Sequence, residues 1–230
     1  MHHKFSKTVI IALGGSIVYP QEINSGFLKK FRGLVLRFIR NGYKFVIVVG
    51  GGHSARLFQV AANKVVSVTD EDKDWLGIHA TRLNAHLLRT IFREVANPVI
   101  IDKRRKLQRL THPVTIAAGW HPGWSTDYVA LALAADFGAK ETIISGKPNH
   151  VYDRDPGKYK DAKSFDGLSW REYRRLIPKK WKPGLHAPVD PVAAALGEKK
   201  KICAIIVDGR DLKNFEHLLL GKNFTGTMIC

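Results

Sequence analysis

Two apolar runs end in glycine clusters: Val9-Ile10-Ile11-Ala12-Leu13 meets Gly14-Gly15-Ser16, and Phe45-Val46-Ile47-Val48-Val49 meets Gly50-Gly51-Gly52. Consecutive glycines let a backbone approach an anion closely and turn its N–H groups inward. A helix can start at Ser54-Ala55-Arg56, and its N-terminus would add partial positive charge. One such turn is often only a tight strand–helix join. Two within the first 56 residues point to a protein that holds two phosphate-bearing groups close together. Arg56, one turn into that helix, offers a guanidinium fork for phosphoryl oxygens, although an exposed helical arginine would look the same.

Two further loops carry chemistry. Gly119-Trp120-His121-Pro122-Gly123-Trp124-Ser125-Thr126-Asp127 opens a helix with a Ser-Thr-Asp start, suited to a phosphate or a ribose. His121 is a base in one reading and, more often for such a setting, a packed loop residue. Gly146-Lys147-Pro148-Asn149-His150 leads into Val151-Tyr152-Asp153-Arg154-Asp155-Pro156. Neither glycine cluster continues into Gly-Lys-Ser/Thr, and Gly-x-Gly-x-x-Gly is absent, so neither a P-loop nor a dinucleotide fingerprint is present. No Ser-His-Asp set and no paired Cys/His metal spacing is found; a metal would arrive as Mg²⁺ on a nucleotide.

The elements that must position these loops alternate strand and helix, which predicts an α/β fold with a mainly parallel sheet covered on both faces. Phe27, Phe31, Leu34, Val35 and Phe38 recur at helical spacing and end at Asn41-Gly42. A long helix is predicted from Asp70 to Val95, capped by Thr69, with Leu83, Leu87, Ile91 and Val95 as its buried stripe. Strands follow at Pro98–Ile101, Val114–Ala118 and Thr142–Ser145, with the apolar helix Tyr128–Phe137 between the last two. Helices at Ser169–Ile177, Pro191–Leu196 and Leu212–Leu220 and strands at Ile202–Val207 and Thr227–Ile229 complete the pattern. In open α/β sheets ligands bind beyond the carboxyl ends of the strands, where all four loops fall.

The chain has 230 residues, 45% hydrophobic and 25% charged, which are globular values. No apolar run reaches the ~20 residues of a membrane span, and no signal-peptide stretch opens the sequence. Cys203 and Cys230 form no disulfide framework or metal spacing, and a reducing cytoplasm is the expected setting. The net charge of +17 suits anionic small substrates and leaves a nucleic-acid partner open. The basic runs Lys103–Lys106, Arg171–Lys182 and Lys199–Lys201 read mainly as solvated surface. Only Trp170, Tyr173 and Trp181 interleave with them as bases would require.

Leu13-Gly14-Gly15-Ser16, Val48-Val49-Gly50-Gly51-Gly52-His53-Ser54-Ala55-Arg56, Thr81-Arg82-Leu83-Asn84-Ala85, His121 to Asp127, Val151 to Pro156, Val189-Asp190-Pro191-Val192-Ala193-Ala194 and Gly226-Thr227 share one property. In this order they resemble the uridylate (UMP) kinases of the amino-acid-kinase superfamily, on the archaeal-type branch. The motifs are individually short; the ordered set covers nearly the whole chain.

The resemblance implies a three-layer α/β/α sandwich in a single domain over residues 1–230, transferring the γ-phosphoryl of ATP, carried with Mg²⁺, to UMP. Gly15, Ser16, Gly52 and Arg56 would surround the donor phosphates, and Gly51 would approach the UMP phosphate. Asp74 would bind the acceptor nucleotide at its ribose, and Trp120, His121, Pro122, Gly123, Trp124, Ser125 and Thr126 would hold UMP. Gly146, Lys147, Tyr152 and Asp155 would form the ATP base and ribose pocket, and Asp190 would order the active-site groups. A cytoplasmic homo-oligomer, a hexamer, is the family's assembly.

Three positions depart from that pattern. Ala12 stands where many superfamily members carry Lys, Asn149 where a carboxylate is usual, and Pro148 stiffens the same loop. Lys147 is placed to supply the missing cation. Two other readings stand beside UMP kinase. One is a sister kinase acting on acetylglutamate or isopentenyl phosphate, the latter kept open by His53 after the glycine cluster. The other is a non-catalytic nucleotide- or nucleic-acid-binding protein.

Overall fold

A computed structural model of the chain describes residues 5–180 and 187–230; Trp181 and Lys182, which close the second basic run, lie outside them. In chain order the elements are β1 (Thr8–Leu13), α1 (Gly15–Val18), α2 (Ser25–Arg40), β2 (Lys44–Val49), α3 (Gly52–Val65) and α4 (Asp70–Ile91). Next come β3 (Val114–Ala117), α5 (Thr126–Asp136), β4 (Glu141–Gly146), β5 (Val151–Tyr152), β6 (Ser164–Phe165) and β7 (Gly167–Leu168). The chain continues through α6 (Trp170–Leu176), α7 (Pro191–Lys200), β8 (Cys203–Asp208), α8 (Leu212–Leu219) and β9 (Thr227–Ile229).

The main sheet has the order β3-β2-β1-β4-β8-β9-β7. Pairing is parallel from β3 to β8; β9 runs antiparallel to β8, and β7 parallel to β9. Strand side chains alternate between faces, and helices cover both. Val9, Ile11, Leu13, Phe45, Ile47 and Val49 pack beneath Phe31, Leu34 and Phe38 of α2 and Phe215 of α8. Ile10, Ala12, Val46 and Val48 pack beneath Val129 to Ala134 of α5 and Ala193 and Ala194 of α7. This is the expected three-layer α/β/α arrangement. Because neither face of the sheet is wet, the strands read as continuous apolar runs rather than alternating ones.

Local signals set several boundaries. Asn24 caps α2 by accepting from Phe27 N at 3.1 Å, and Gly42 beyond its end adopts φ +79°. Thr69 caps α4, accepting from Asp72 N at 3.1 Å, with Asp70, Glu71 and Asp72 in the first turn complementing the helix dipole.

The structure corrects three expectations. The long helix ends at Ile91, and its predicted stripe is displaced: Leu83 is 66% exposed. Leu87, Ile91 and Val95 only flank the core, while Ile78, Thr81, Asn84, Ala85 and Leu88 turn inward. A strict four-residue repeat drifts around a helix of 3.6 residues per turn, and polar Thr81 and Asn84 disguise the buried face. Pro98–Ile101 forms no strand; it contributes only an isolated bridge, Ile101 to Ala117, beside another from Ala96 to Val114. Cys203 and Cys230 are joined as a disulfide. The antiparallel register Ala204↔Ile229 places the next pair opposite one another, a proximity that a separation of 27 residues along the chain does not announce.

That bond closes β9 onto β8, where Thr227 accepts from Val151 N at 2.8 Å and donates to the Phe165 carbonyl. Closing a loop of this size restricts the unfolded chain by about 3 kcal/mol. Cys230→Ser is therefore expected to lower Tm by roughly 6–12 °C under non-reducing conditions. Dithiothreitol should lower the parent's Tm towards that value and leave the variant's unchanged, as thermal denaturation with and without reductant will show.

Candidate functional site

The site begins where β1 and β2 end. These strands are neighbours in parallel register, Leu13 opposite Val49, so their glycine turns emerge side by side. They touch through backbone. A Cβ on Gly15 would lie 2.2 Å from Gly52 N and 2.5 Å from the Gly50 carbonyl carbon, and one on Gly50 would lie 2.6 Å from Gly15 N. Gly52 has φ +69°, and a Cβ there would meet Gly15 O at 2.4 Å. Only glycine permits this approach. Gly14 N donates to Ser145 O at 2.8 Å, tying the first turn to β4, and His53 N donates to Tyr19 O at 2.8 Å.

Helix α4 braces the turns. The Asn84 amide donates to Gly50 O at 2.8 Å and Gly51 O at 3.0 Å. Thr81 donates to Ile78 O at 2.6 Å and accepts from Gly119 N at 2.8 Å, which anchors the start of the Trp120–Asp127 loop. Asp74 accepts from Gly123 N at 2.7 Å and holds the same loop further along. Satisfied polar groups of this kind fix the loops without leaving backbone donors or acceptors stranded.

Three adjoining cavities lie across the carboxyl ends of the strands. The first, of 380 Å³, is lined by Gly51, Gly52, Arg56, Asp74, Thr81, His121, Trp124, Ser125, Thr126, Asp127 and Asp190, among others. The central one, of 610 Å³, is lined by Gly14, Ser16, Arg56, Thr126, Asp127, Gly146, Lys147 and Pro148. The third, of 480 Å³, takes in Pro148, His150, Tyr152, Asp155, Tyr173, Ile177 and Pro188. Arg56, Thr126 and Asp127 border both of the first two, and Pro148 and Pro188 both of the last two. Among the described residues, no side chain pairs with the Arg56 guanidinium.

Two carboxylates face one another at the junction. Burial, reinforced by the charge of Asp190, raises the Asp127 carboxyl from 3.8 to about 8. Burial also raises Asp190, opposed by hydrogen bonds from the Ser125 hydroxyl and from Ala193 N and Val192 N. Asp190 thereby caps α7, with Pro191 as its first residue. Tyr173 fixes the preceding residue, donating to Val189 O at 2.6 Å and accepting from Val189 N at 2.7 Å. Two buried like charges without a counter-ion are costly; a cation or a proton between them is the remedy.

Most of the expected site residues gather on these walls, with four exceptions. Trp120 is buried in the core, its indole donating to Ile101 O at 3.3 Å. Gly15 is enclosed by the second glycine turn, and Pro122 and Gly123 lie behind the lining, Gly123 held by Asp74. Gly52 opens on the first cavity beside Gly51 rather than on the central one. His53 lines none of the three; its ring lies edge-on to Tyr19 at 6.2 Å. Asn149 accepts from the Tyr152 hydroxyl at 2.8 Å, orienting that ring in the third cavity. Trp170 and Tyr173, the aromatics interleaved with the basic run, are both buried and unable to stack on bases.

Sequence reading gave Asp127 only a place in the Ser-Thr-Asp helix start, Tyr173 only a place beside the basic run, and Thr81 and Asn84 only a place in a shared motif, without the contacts they make here. Thr81 and Asn84 had a detectable signal, since two polar residues share a helical face with Ala85 and Leu88. The pairing of Asp127 with Asp190, 63 positions along the chain, had none.

The Asp127 carboxyl binds a proton in the native protein between its unfolded value of 3.8 and about 8. The stability it contributes is complete below the lower value and is lost as pH rises through the upper one. Asp127→Asn stays neutral throughout. In ligand-free protein the variant's Tm is expected to gain on the parent's progressively from pH 4 to pH 8, with a constant difference above; parallel pH–Tm curves would contradict the pairing.

Comparisons with known proteins agree with this geometry. A match to the Amino acid kinase family spans residues 7–208. The chain is 32% identical over 226 residues to a uridylate kinase of Hyperthermus butylicus, covering 96% of this chain and 97% of that protein. It is 33% identical over 224 residues to a uridylate kinase of Methanocorpusculum labreanum, covering 96% and 94%. The crystal structure of uridylate kinase from Archaeoglobus fulgidus superposes with a TM-score of 0.81 at 27% identity, over 98% of this chain and all of that one. UMP kinase from Bacillus anthracis, at 20% identity and a TM-score of 0.79, shares the fold. With touching glycine turns, a junction arginine and this similarity along nearly its whole length, the chain belongs to the amino acid kinase family.

Proposed function

We propose that this protein is an ATP-dependent UMP kinase, transferring the γ-phosphoryl group of ATP to UMP to give UDP and ADP. The observation that carries the reading is the shared rim: Arg56, Thr126 and Asp127 stand between two cavities that meet at the contacting glycine turns. One phosphoryl group can pass there without crossing solvent.

In this reading the first cavity takes UMP, with Gly51 and Gly52 near its phosphate and Asp74, His121, Trp124, Ser125 and Thr126 around the nucleoside. The central cavity takes the ATP phosphates against Gly14, Ser16, Gly146 and Lys147, and the third takes base and ribose at Tyr152 and Asp155. An oxygen of the UMP phosphate forms the new bond to the γ-phosphorus as the bond to the β-phosphate oxygen breaks. Such transfer demands alignment and charge neutralisation more than acid–base chemistry. Well-oriented reactants reach effective molarities of about 10⁵–10⁸ M. Arg56 would neutralise charge spreading over the moving group, and Asp190 would hold the Ser125–Asp127 turn in place.

The oxygen donors at the junction, Asp127 and Asp190, suit a hard divalent cation arriving on the nucleotide, which would offset phosphate charge there. The acceptor site draws mainly on the N-terminal part of a single unit and the ATP site on the C-terminal part. A cytoplasmic setting with its nucleotide substrates belongs to the same reading, and the Cys203–Cys230 disulfide stands against it; among the described residues no helix is long and apolar enough to cross a membrane. A homo-oligomer, hexameric by resemblance, has a ready face in α3, where Leu57, Phe58, Val60 and Val65 are exposed. The isopentenyl phosphate alternative rested on His53, whose ring lies outside the cavities.

A coupled ADP-release assay across UMP, CMP, acetylglutamate and isopentenyl phosphate is expected to show UMP as the preferred acceptor; equal rates would overturn the assignment. Arg56→Ala should lower kcat/KM for both substrates by more than about tenfold, about 1.4 kcal/mol of transition-state stabilisation. An unchanged kcat/KM would remove Arg56 from the transfer step.

A further inference from the structure

The net charge of +17 far exceeds what the junction uses, and part of it converges on a fourth concave surface. Between α6 and α7 lies a cavity of 330 Å³ walled by Arg171, Arg174, Arg175 and Lys179, with Glu198 the one carboxylate among the described residues. It shares only Ile177 and Pro178 with the third cavity and nothing with the first two.

Ordinary surface electrostatics accounts for some of these cations. Arg174 pairs with Glu198, both about half exposed, which contributes little on its own. Arg174 and Arg175 lie in the last turn of α6, where positive charge complements the helix dipole, and Glu172 lies within reach of Arg175's charge. Arg171 has no such reason. It stands in the first turn, at the positive end of the helix, where a cation is disfavoured. Lys179 and Arg171 make no side-chain ion pair among the described residues.

The cationic face is also held rigidly outward. The opposite face of α6 is anchored by Trp170, whose indole donates to Ile202 O at 3.0 Å, and by the fully buried Tyr173. A Ser169–Glu172 capping box fixes the start of the helix, and Pro178 and Pro191 stiffen the rim. Glu198 and Glu172 offset part of the charge of Arg174 and Arg175, which leaves Arg171 and Lys179 as the uncompensated cations of the concavity, and an anion joining them relieves that remaining repulsion.

We propose that this concavity is a second phosphate site, distinct from the transfer site, that binds a compact anion of the di- or triphosphate class. Arginine forks suit phosphoryl oxygens, and three or more cations match a multiply charged group rather than a single carboxylate. A nucleic-acid strand fits less well: among the described residues, the neighbouring aromatics Trp170 and Tyr173 are turned into the core instead of outward for stacking. The geometry of the concavity carries the proposal, and the expected count of two sites rests on the proposed transfer site.

Calorimetric titration with inorganic tripolyphosphate tests it. The parent is expected to bind two anions per chain, one at the transfer site and one here. Arg171→Gln, Arg175→Gln and Lys179→Gln, each on an exposed surface, should retain ADP release with UMP and lose the second binding event, its Kd rising roughly tenfold or more. A parallel titration with a non-hydrolysable ATP analogue distinguishes the source: two sites for the analogue assign the second to a nucleotide's phosphate tail, one site assigns it to free polyphosphate. A tripolyphosphate site count in the parent that none of the three variants lowers would overturn the proposal. So would a short single-stranded RNA that displaces tripolyphosphate from the second site at lower concentration than tripolyphosphate itself binds.

Discussion

The contact between Gly15 and the Gly50–Gly52 turn is the constraint on which the rest of the molecule depends. Adjacent parallel strands bring two backbone turns to within van der Waals distance, and no side chain larger than hydrogen fits between them. The consequence is chemical. In the proposed reading, two phosphate-binding turns pressed together would hold their ligands head to head. Everything around them, the buried amide of Asn84, the Thr81 hydroxyl and the carboxylate of Asp74, keeps that contact from relaxing.

Charge follows the same geometry. Asp127 and Asp190 are brought together by α5, α7 and the residue held by Tyr173, and burial, with a smaller contribution from the charge of Asp190, raises the Asp127 carboxyl. Such a pair destabilises the empty protein at neutral pH and becomes an asset when a cation-bearing nucleotide arrives. A protein that tolerates this strain stores binding specificity at the site rather than fold stability. The exposed Arg56 on the other side of the junction supplies the opposite sign.

Much of this was readable in the chain. The glycine clusters after two apolar runs marked the turns, the Phe27–Phe38 stripe marked α2, and the Thr69 and Gly42 signals marked helix ends, because each depends on neighbours a few residues away. Trp120 shows the limit. Beside Trp124 in a polar loop it reads as a binding residue, yet its ring is drawn into the core while Trp124 lines the cavity. Alternate loop residues point to opposite sides, and which side is buried depends on what packs above. The α4 stripe failed for a related reason: polar side chains faced inward because backbone groups there required partners.

The sequence by itself determined the strand-and-helix alternation and the glycine turns, since these rest on backbone sterics and local periodicity. Only the tertiary structure decided the pairing of Asp127 with Asp190, the joining of Cys203 to Cys230 and the burial of Trp120 and Tyr173. Each of these is a meeting of distant segments, set by sheet order and register, and no spacing along the chain encodes the distance across it.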